Sequence, residues 1–162
     1  MATIEHRDGV YRARIRVKRK GKIIHQESRT FEKKALAKGW AARRESELQD
    51  PRELERVQHR GISVKDVLTW YVDNMSHIRS TGRTKSADIK KLMKEDLADL
   101  DAIDLTSGQI IDHLIKRLKT VQPQTANNDL VWLRVAFKAA RATKGWPVAV
   151  DAVEDAVIAA QS

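Results

Sequence analysis

Two periodicities divide the chain. From Val10 to Lys18, apolar and basic residues alternate with period two, the pattern of a half-buried β-strand. Thr3 to His6 forms a short strand before it, closed by a turn at Asp8-Gly9. Gly21 supplies the positive φ of a tight hairpin, and Lys22 to Phe31 is the third strand. From about residue 32 to residue 47 the period changes. Leu36, Ala37, Trp40 and Ala41 recur at helical spacing and are expected to cover one face of the sheet. Gly39 weakens that helix or lets a strand approach closely.

Residues 49–62 carry Pro51, Gly61 and little apolar material, which predicts an interdomain linker able to hold a helical part. Helical stripes resume after Ser63, whose spacing to Asp66 resembles a capping box. The first stripe is Val64, Val67, Leu68, Tyr71, Val72 and Met75, and Ser80-Thr81-Gly82-Arg83 breaks it. A second helix carries Ile89, Leu92, Met93 and Leu97. A connection with Leu100, Ile103 and Leu105 leads to a third helix, capped near Thr106 or Ser107, with Ile110, Ile111, Leu114, Ile115 and Leu118 inward. Pro123 interrupts. The fourth runs from near Thr125 to Lys144 on Leu130, Leu133, Phe137 and Ala140, with Gly145 as C-cap. A last helix covers Asp151 to Ala160. The expected fold is α+β. A small three-stranded antiparallel sheet with one helix occupies residues 1–48, and an all-α bundle of four or five helices occupies residues 63–162.

Charge sharpens this division. The 162 residues carry a formal net charge of +9. Residues 1–48 hold fourteen Lys/Arg against six Asp/Glu, and residues 49–162 hold seventeen against sixteen. That asymmetry suggests that the first unit faces a polyanion, the alternative being a basic surface that only keeps the protein in solution. The chain has no cysteine, which excludes disulfides and thiol chemistry and fits a reducing cytoplasm. No apolar run approaches the ~18 residues of a membrane span, and the N-terminus lacks a signal-peptide pattern.

On the alternating strand, Tyr11, Ala13, Ile15 and Val17 face one way, while Arg12, Arg14, Arg16 and Lys18 face the other. Adjacent cations repel, and duplex nucleic acid relieves the repulsion while releasing counterions. A small sheet also fits the major groove, where arginine reads guanine and glutamine reads adenine. Two registers are open. A three-residue loop at Arg19-Lys20-Gly21 places Arg16 opposite Ile24, Arg14 opposite Gln26 and Arg12 opposite Ser28. Gln26, Ser28 and Thr30 then share the arginine face. A two-residue turn at Lys20-Gly21 places His25, Glu27 and Arg29 there instead. The alternative to DNA binding is a solvated face with cross-strand Glu27 pairing. Lys20 and Lys22 add charge at the hairpin end.

These residues resemble the N-terminal part of phage-type tyrosine recombinases, the integrases. The first unit is similar to their arm-type DNA-binding domain through Tyr11-Arg12-Ala13-Arg14-Ile15, the Gly21 turn, Thr30-Phe31, Lys33-Lys34-Ala35 and Trp40. The helical unit is similar to their SAM-like core-binding domain. It matches through Ser63-Val64, Trp70-Tyr71, Leu105-Thr106, Thr125-Ala126-Asn127-Asn128-Asp129-Leu130, Leu133, Phe137, Ala140 and Trp146-Pro147. The resemblance implies a sheet in the major groove of arm-type sites, and a helical domain forming half of a clamp on the core site. It also implies a bacterial host for a phage or mobile element. The family's catalytic domain, with its tyrosine nucleophile, has no counterpart here. Tyr11 and Tyr71 lie on apolar faces. The chain is expected to bind double-stranded DNA and cut nothing, as the N-terminal piece of a longer integrase or a natural truncation.

In the helical part, Lys90, Lys94, Lys116, Lys138 and Arg141 are the DNA-contact candidates, with ordinary solvated helix faces as the alternative. No metal is expected: His6, His25, His59, His77 and His113 form no ligand pair such as HxxxH. No cofactor motif appears. Glu95, Asp96, Asp99, Asp101 and Asp104 read as a solvated acidic connection. Val131-Trp132 lies off its helix's main stripe and is a candidate contact with a neighbouring protomer. Two other functions remain open: a protein-interaction module whose basic sheet meets an acidic partner, and RNA binding.

Overall fold

The computed structural model describes residues 1–75, 78 and 83–162, the side chain of Arg83 excepted. It is an α+β chain that divides into two compact units, residues 1–58 and 59–162.

The first unit is a meander of β1 (Ala2–Arg7), β2 (Val10–Arg19) and β3 (Lys22–Phe31), all antiparallel in that order. The helices α1 (Lys34–Glu47) and α2 (Pro51–Gln58) follow. Both turns take left-handed backbone at two residues, Asp8 and Gly9 (φ 52° and 79°) and Lys20 and Gly21 (φ 50° and 77°). That pair of positive φ values matches the right-handed twist of the strands it joins. Ala13, Ala37 and Ala41 are fully covered, with Ile4, Tyr11, Phe31 and Trp40 packed around them. Ile15, Leu48 and Val57 form another cluster with Val17 and Leu54.

The first unit bears on three expectations. Leu36 is exposed, because the apolar stripe packed on the sheet runs through Ala37, Trp40 and Ala41. Gly39 meets no neighbour that a side chain would strike, so no strand approaches it. Residues 49–62 are not a bare linker. Helix α2 occupies most of them and packs Val57 into the first unit.

The second unit comprises α3 (Val64–Trp70), α4 (Arg83–Leu92), α5 (Ser107–Arg117), α6 (Pro123–Lys144) and α7 (Val150–Ala160). Ser63 and Asp66 complete a reciprocal capping box, as do Thr106 and Gln109. Gly145 ends α6 in the left-handed conformation at φ 65°. Pro123 starts α6 rather than interrupting it. At the first helical position its missing N–H costs nothing. Leu97 lies beyond α4, in a 3₁₀ turn at Asp96–Asp99, and Val72 and Met75 lie in a π-helical turn at Tyr71–Met75. The expected break at Ser80–Gly82 and His77 lie outside the described residues, and Arg83 opens α4. Phe137, Leu68, Ile89, Leu92, Ile110 and Leu133 fill the centre. Ile115 and Leu118, expected inward, are exposed.

Candidate nucleic-acid interface

Strand pairing decides which side chains share the basic face. Arg19 pairs with Lys22 and Lys18 with Ile23, a two-residue turn. The register then shifts. Val17 pairs with His25, Arg16 with Gln26, Arg14 with Ser28 and Arg12 with Thr30. Ile24 stands outside the pairing as a bulge, and its carbonyl accepts a hydrogen bond from Gln58 Nε2 of α2 at 3.0 Å. Neither register expected from the sequence occurs whole. The turn has two residues, yet the bulge restores the parity of the three-residue loop, offset by two. Gln26, Ser28 and Thr30 therefore stand beside Arg12, Arg14, Arg16 and Lys18, while His25, Glu27 and Arg29 take the helix side.

Phe31 supplies the physical reason. It pairs with Tyr11 and packs against Trp40 with ring centroids 5.7 Å apart. Without the bulge, the two-residue turn turns Phe31 to water. Glu27 is held on the helix side too. Its carboxylate accepts from Arg44 Nε at 2.6 Å, and Arg44 also donates to Glu47 and Glu53. Burial alone lowers the Arg44 pKa. The hydrogen bonds to Glu47, Glu27 and Glu53 outweigh that, and the guanidinium stays firmly charged, above its ordinary value.

The three arginines lean alternately. Arg12 Nη2 donates to Ser28 Oγ at 3.2 Å and Arg16 Nε to Gln26 Oε1 at 3.1 Å, both toward β3. Arg14 leans to β1, its Nη1 lying 3.8 Å from Glu5 Oε1. Leaning apart separates like charges that one strand would otherwise stack. Lys18 is exposed beside Ile23, itself half exposed. Lys20 sits in the turn. Lys22, paired with Arg19, falls on the helix side and does not join the face. Thr3, Glu5 and Arg7 of β1 do join it, since Glu5 pairs with Arg12 and Thr3 with Arg14. Counting back through the two-residue Asp8-Gly9 turn would have placed them there. Ile23 follows from the two-residue turn, whereas Gln26, Ser28 and Thr30 depend on the bulge, which no local signal marks.

The helical candidates are dispersed. Lys116 bonds Asp96, Lys138 bonds Glu154, and Arg141 lies 3.9 Å from Asp151. Lys90 and Lys94 are exposed, on α4 and just after it. The acidic connection is largely solvated, with Asp96, Asp99 and Asp104 exposed. Glu95 meets Arg117, and Asp101 accepts from the backbone of Ile103 and Asp104. Among the described residues, no three His, Asp or Glu side chains gather to hold a metal ion, and no helix is long and apolar enough to cross a membrane. Tyr71 is buried, its hydroxyl accepting from Lys85 Nζ, which also lies 5.1 Å from the Trp132 ring. Trp132 is thus packed against its own unit, and of the suggested protomer contact only Val131 is exposed. Compared with models of known protein families, with curated proteins and with solved structures, the chain matches none.

Proposed function

We propose that this chain binds double-stranded DNA through the open face of its sheet, in the manner of the arm-binding modules of integrases. One observation carries the reading. A single sheet face without a covering helix in its own unit presents Arg12, Arg14, Arg16 and Lys18 beside Gln26, Ser28 and Thr30. Cations at regular spacing suit phosphates, and side chains with paired donors and acceptors suit base edges. The major groove of B-form DNA admits a small sheet, whereas that of A-form RNA is too narrow, which favours DNA over RNA. The chain acts here as a binder in site-specific recombination within a bacterial cytoplasm. Tyr11 packs on the helix side and Tyr71 is buried, which supports reading the chain as a binder.

The test is the salt dependence of binding to a random-sequence duplex. The slope of log affinity against log salt should fall by about two on replacing both Arg12 and Arg16 with alanine, as two phosphate contacts are lost. Affinity should fall with it while the melting temperature holds. An unchanged slope and affinity would show that the face is merely solvated.

A further inference from the structure

The basic face contains one anion, and its place is informative. Glu5 stands directly across from Arg12, but its carboxylate lies by Arg14, the middle arginine. The pair is loose at 3.8 Å. Glu5 keeps 53% of its side chain exposed and Arg14 keeps 24%. A loose, half-exposed pair of this kind adds little to stability. On a surface serving only phosphates, it also subtracts attraction. Arg12 and Arg16, by contrast, are braced by the neutral Ser28 and Gln26 and keep their whole charge. Arg14 further has its Nε buried without a hydrogen-bond partner, which leaves its terminal nitrogens as its outward donors.

We infer that Glu5 and Arg14 form one reading unit for a G·C base pair, which makes Glu5 a specificity-determining residue. This rests on the duplex-DNA reading above. In the major groove a G·C pair presents two acceptors on guanine, N7 and O6, and then the N4 amino donor of cytosine. A guanidinium followed by a carboxylate offers two donors and then an acceptor, the complement in order. An A·T pair interposes the adenine N6 donor between two acceptors, so it sets one donor of the arginine against another donor. The unit has no net charge. It adds nothing to sequence-independent affinity and spends its contacts on discrimination. The charged Arg12 and Arg16 on either side supply the attraction to the backbone.

The experiment selects duplexes from a random pool with the intact chain and with Glu5→Ala. The best duplex is then remade with the cytosine of the selected G·C pair replaced by its analogue lacking the 4-amino group. The intact chain is expected to fix one G·C pair and to bind the analogue duplex roughly ten-fold more weakly. Glu5→Ala is expected to bind both duplexes alike and to relax that one position, with affinity for random duplex unchanged or higher. If the intact chain prefers certain sequences but binds the analogue duplex equally well, or fixes no G·C pair, Glu5 reads no base and the inference falls while DNA binding stands. If the chain retains no duplex at all, the DNA reading itself fails. The analogue arm needs only the unaltered protein, so misfolding of the variant leaves the decision intact.

Discussion

Gly21 and Gly39 show how one residue type serves opposite ends in the first unit. Gly21 has φ 77° in the β2–β3 turn, and no neighbour lies within 4 Å of where a Cβ would stand. Strain alone then sets the cost of a side chain there. Gly21→Ala should destabilise the first unit by about 1 kcal/mol. Gly39 is helical, exposed and equally free of neighbours, so Gly39→Ala should stabilise by about 0.5–1 kcal/mol. Thermal unfolding of the two variants should move in opposite directions. The role of Gly21 was legible in the sequence, since a lone glycine between alternating strands marks a turn. That Lys20 shares the left-handed backbone was not, because lysine has no preference that announces it. Leu36 shows the same limit. Helical spacing admitted it to the apolar stripe, but the apolar residues this helix packs on the sheet are Ala37, Trp40 and Ala41.

At the scale of elements, caps and ion pairs fix the helices of the second unit. Arg134 and Lys138 of α6 both reach Glu154 of α7. Hydrogen bonds from Arg134 and then Lys138 hold the Glu154 carboxyl below its ordinary value. A lowered carboxyl pKa favours the folded state at neutral pH. That contribution is lost as pH falls from about 4.3, the unfolded value, through the lower folded one. Glu154→Gln should therefore melt at a lower temperature than the parent at pH 7, and the gap should close on acidification below that window. A gap independent of pH would show that packing, not charge, joins the two helices. The Ser63 capping box, a cap near Thr106 and the Gly145 stop were readable from residue spacing. The 3₁₀ turn at Asp96–Asp99 was not, since Leu97 continues the helical period into it. Helix α2 was hidden for a related reason. Only Val57 and Leu54 of its eight residues pack inward, too few to show a period within a charged stretch.

Over the whole molecule, charge and organisation coincide. Arg12, Arg14, Arg16 and Lys18 of the first unit share one strand face, whereas Lys116, Lys138 and Arg141 of the second lie beside its own acids. Residues 1–58 alone should accordingly keep most of the duplex affinity at about 150 mM salt, where phosphate contacts still dominate binding, while residues 59–162 alone should bind weakly. Fluorescence anisotropy on both fragments checks this, with circular dichroism to confirm folding. Equal affinity in the helical fragment would move the interface there. The first fragment is small enough for its stability to be marginal, resting on a few alanines, Ile15, Leu48 and Val57. Two units and their charge imbalance could be read from composition alone. The membership of the basic face could not, because it turns on one unpaired residue.

That residue gives β3 a kind of arithmetic. Ile24 adds one to the count between the turn and Phe31, and Gln58 of α2 holds its carbonyl. Were Ile24 drawn into the ladder opposite Val17, every later residue of β3 would change partner by one. His25, Glu27 and Arg29 would then face outward in place of Gln26, Ser28 and Thr30, and Phe31 would leave Trp40. Deleting Ile24 outright would instead close the ladder and leave both faces as they are. The open face can thus change its whole vocabulary by straightening one kink, with no substitution in the residues it shows.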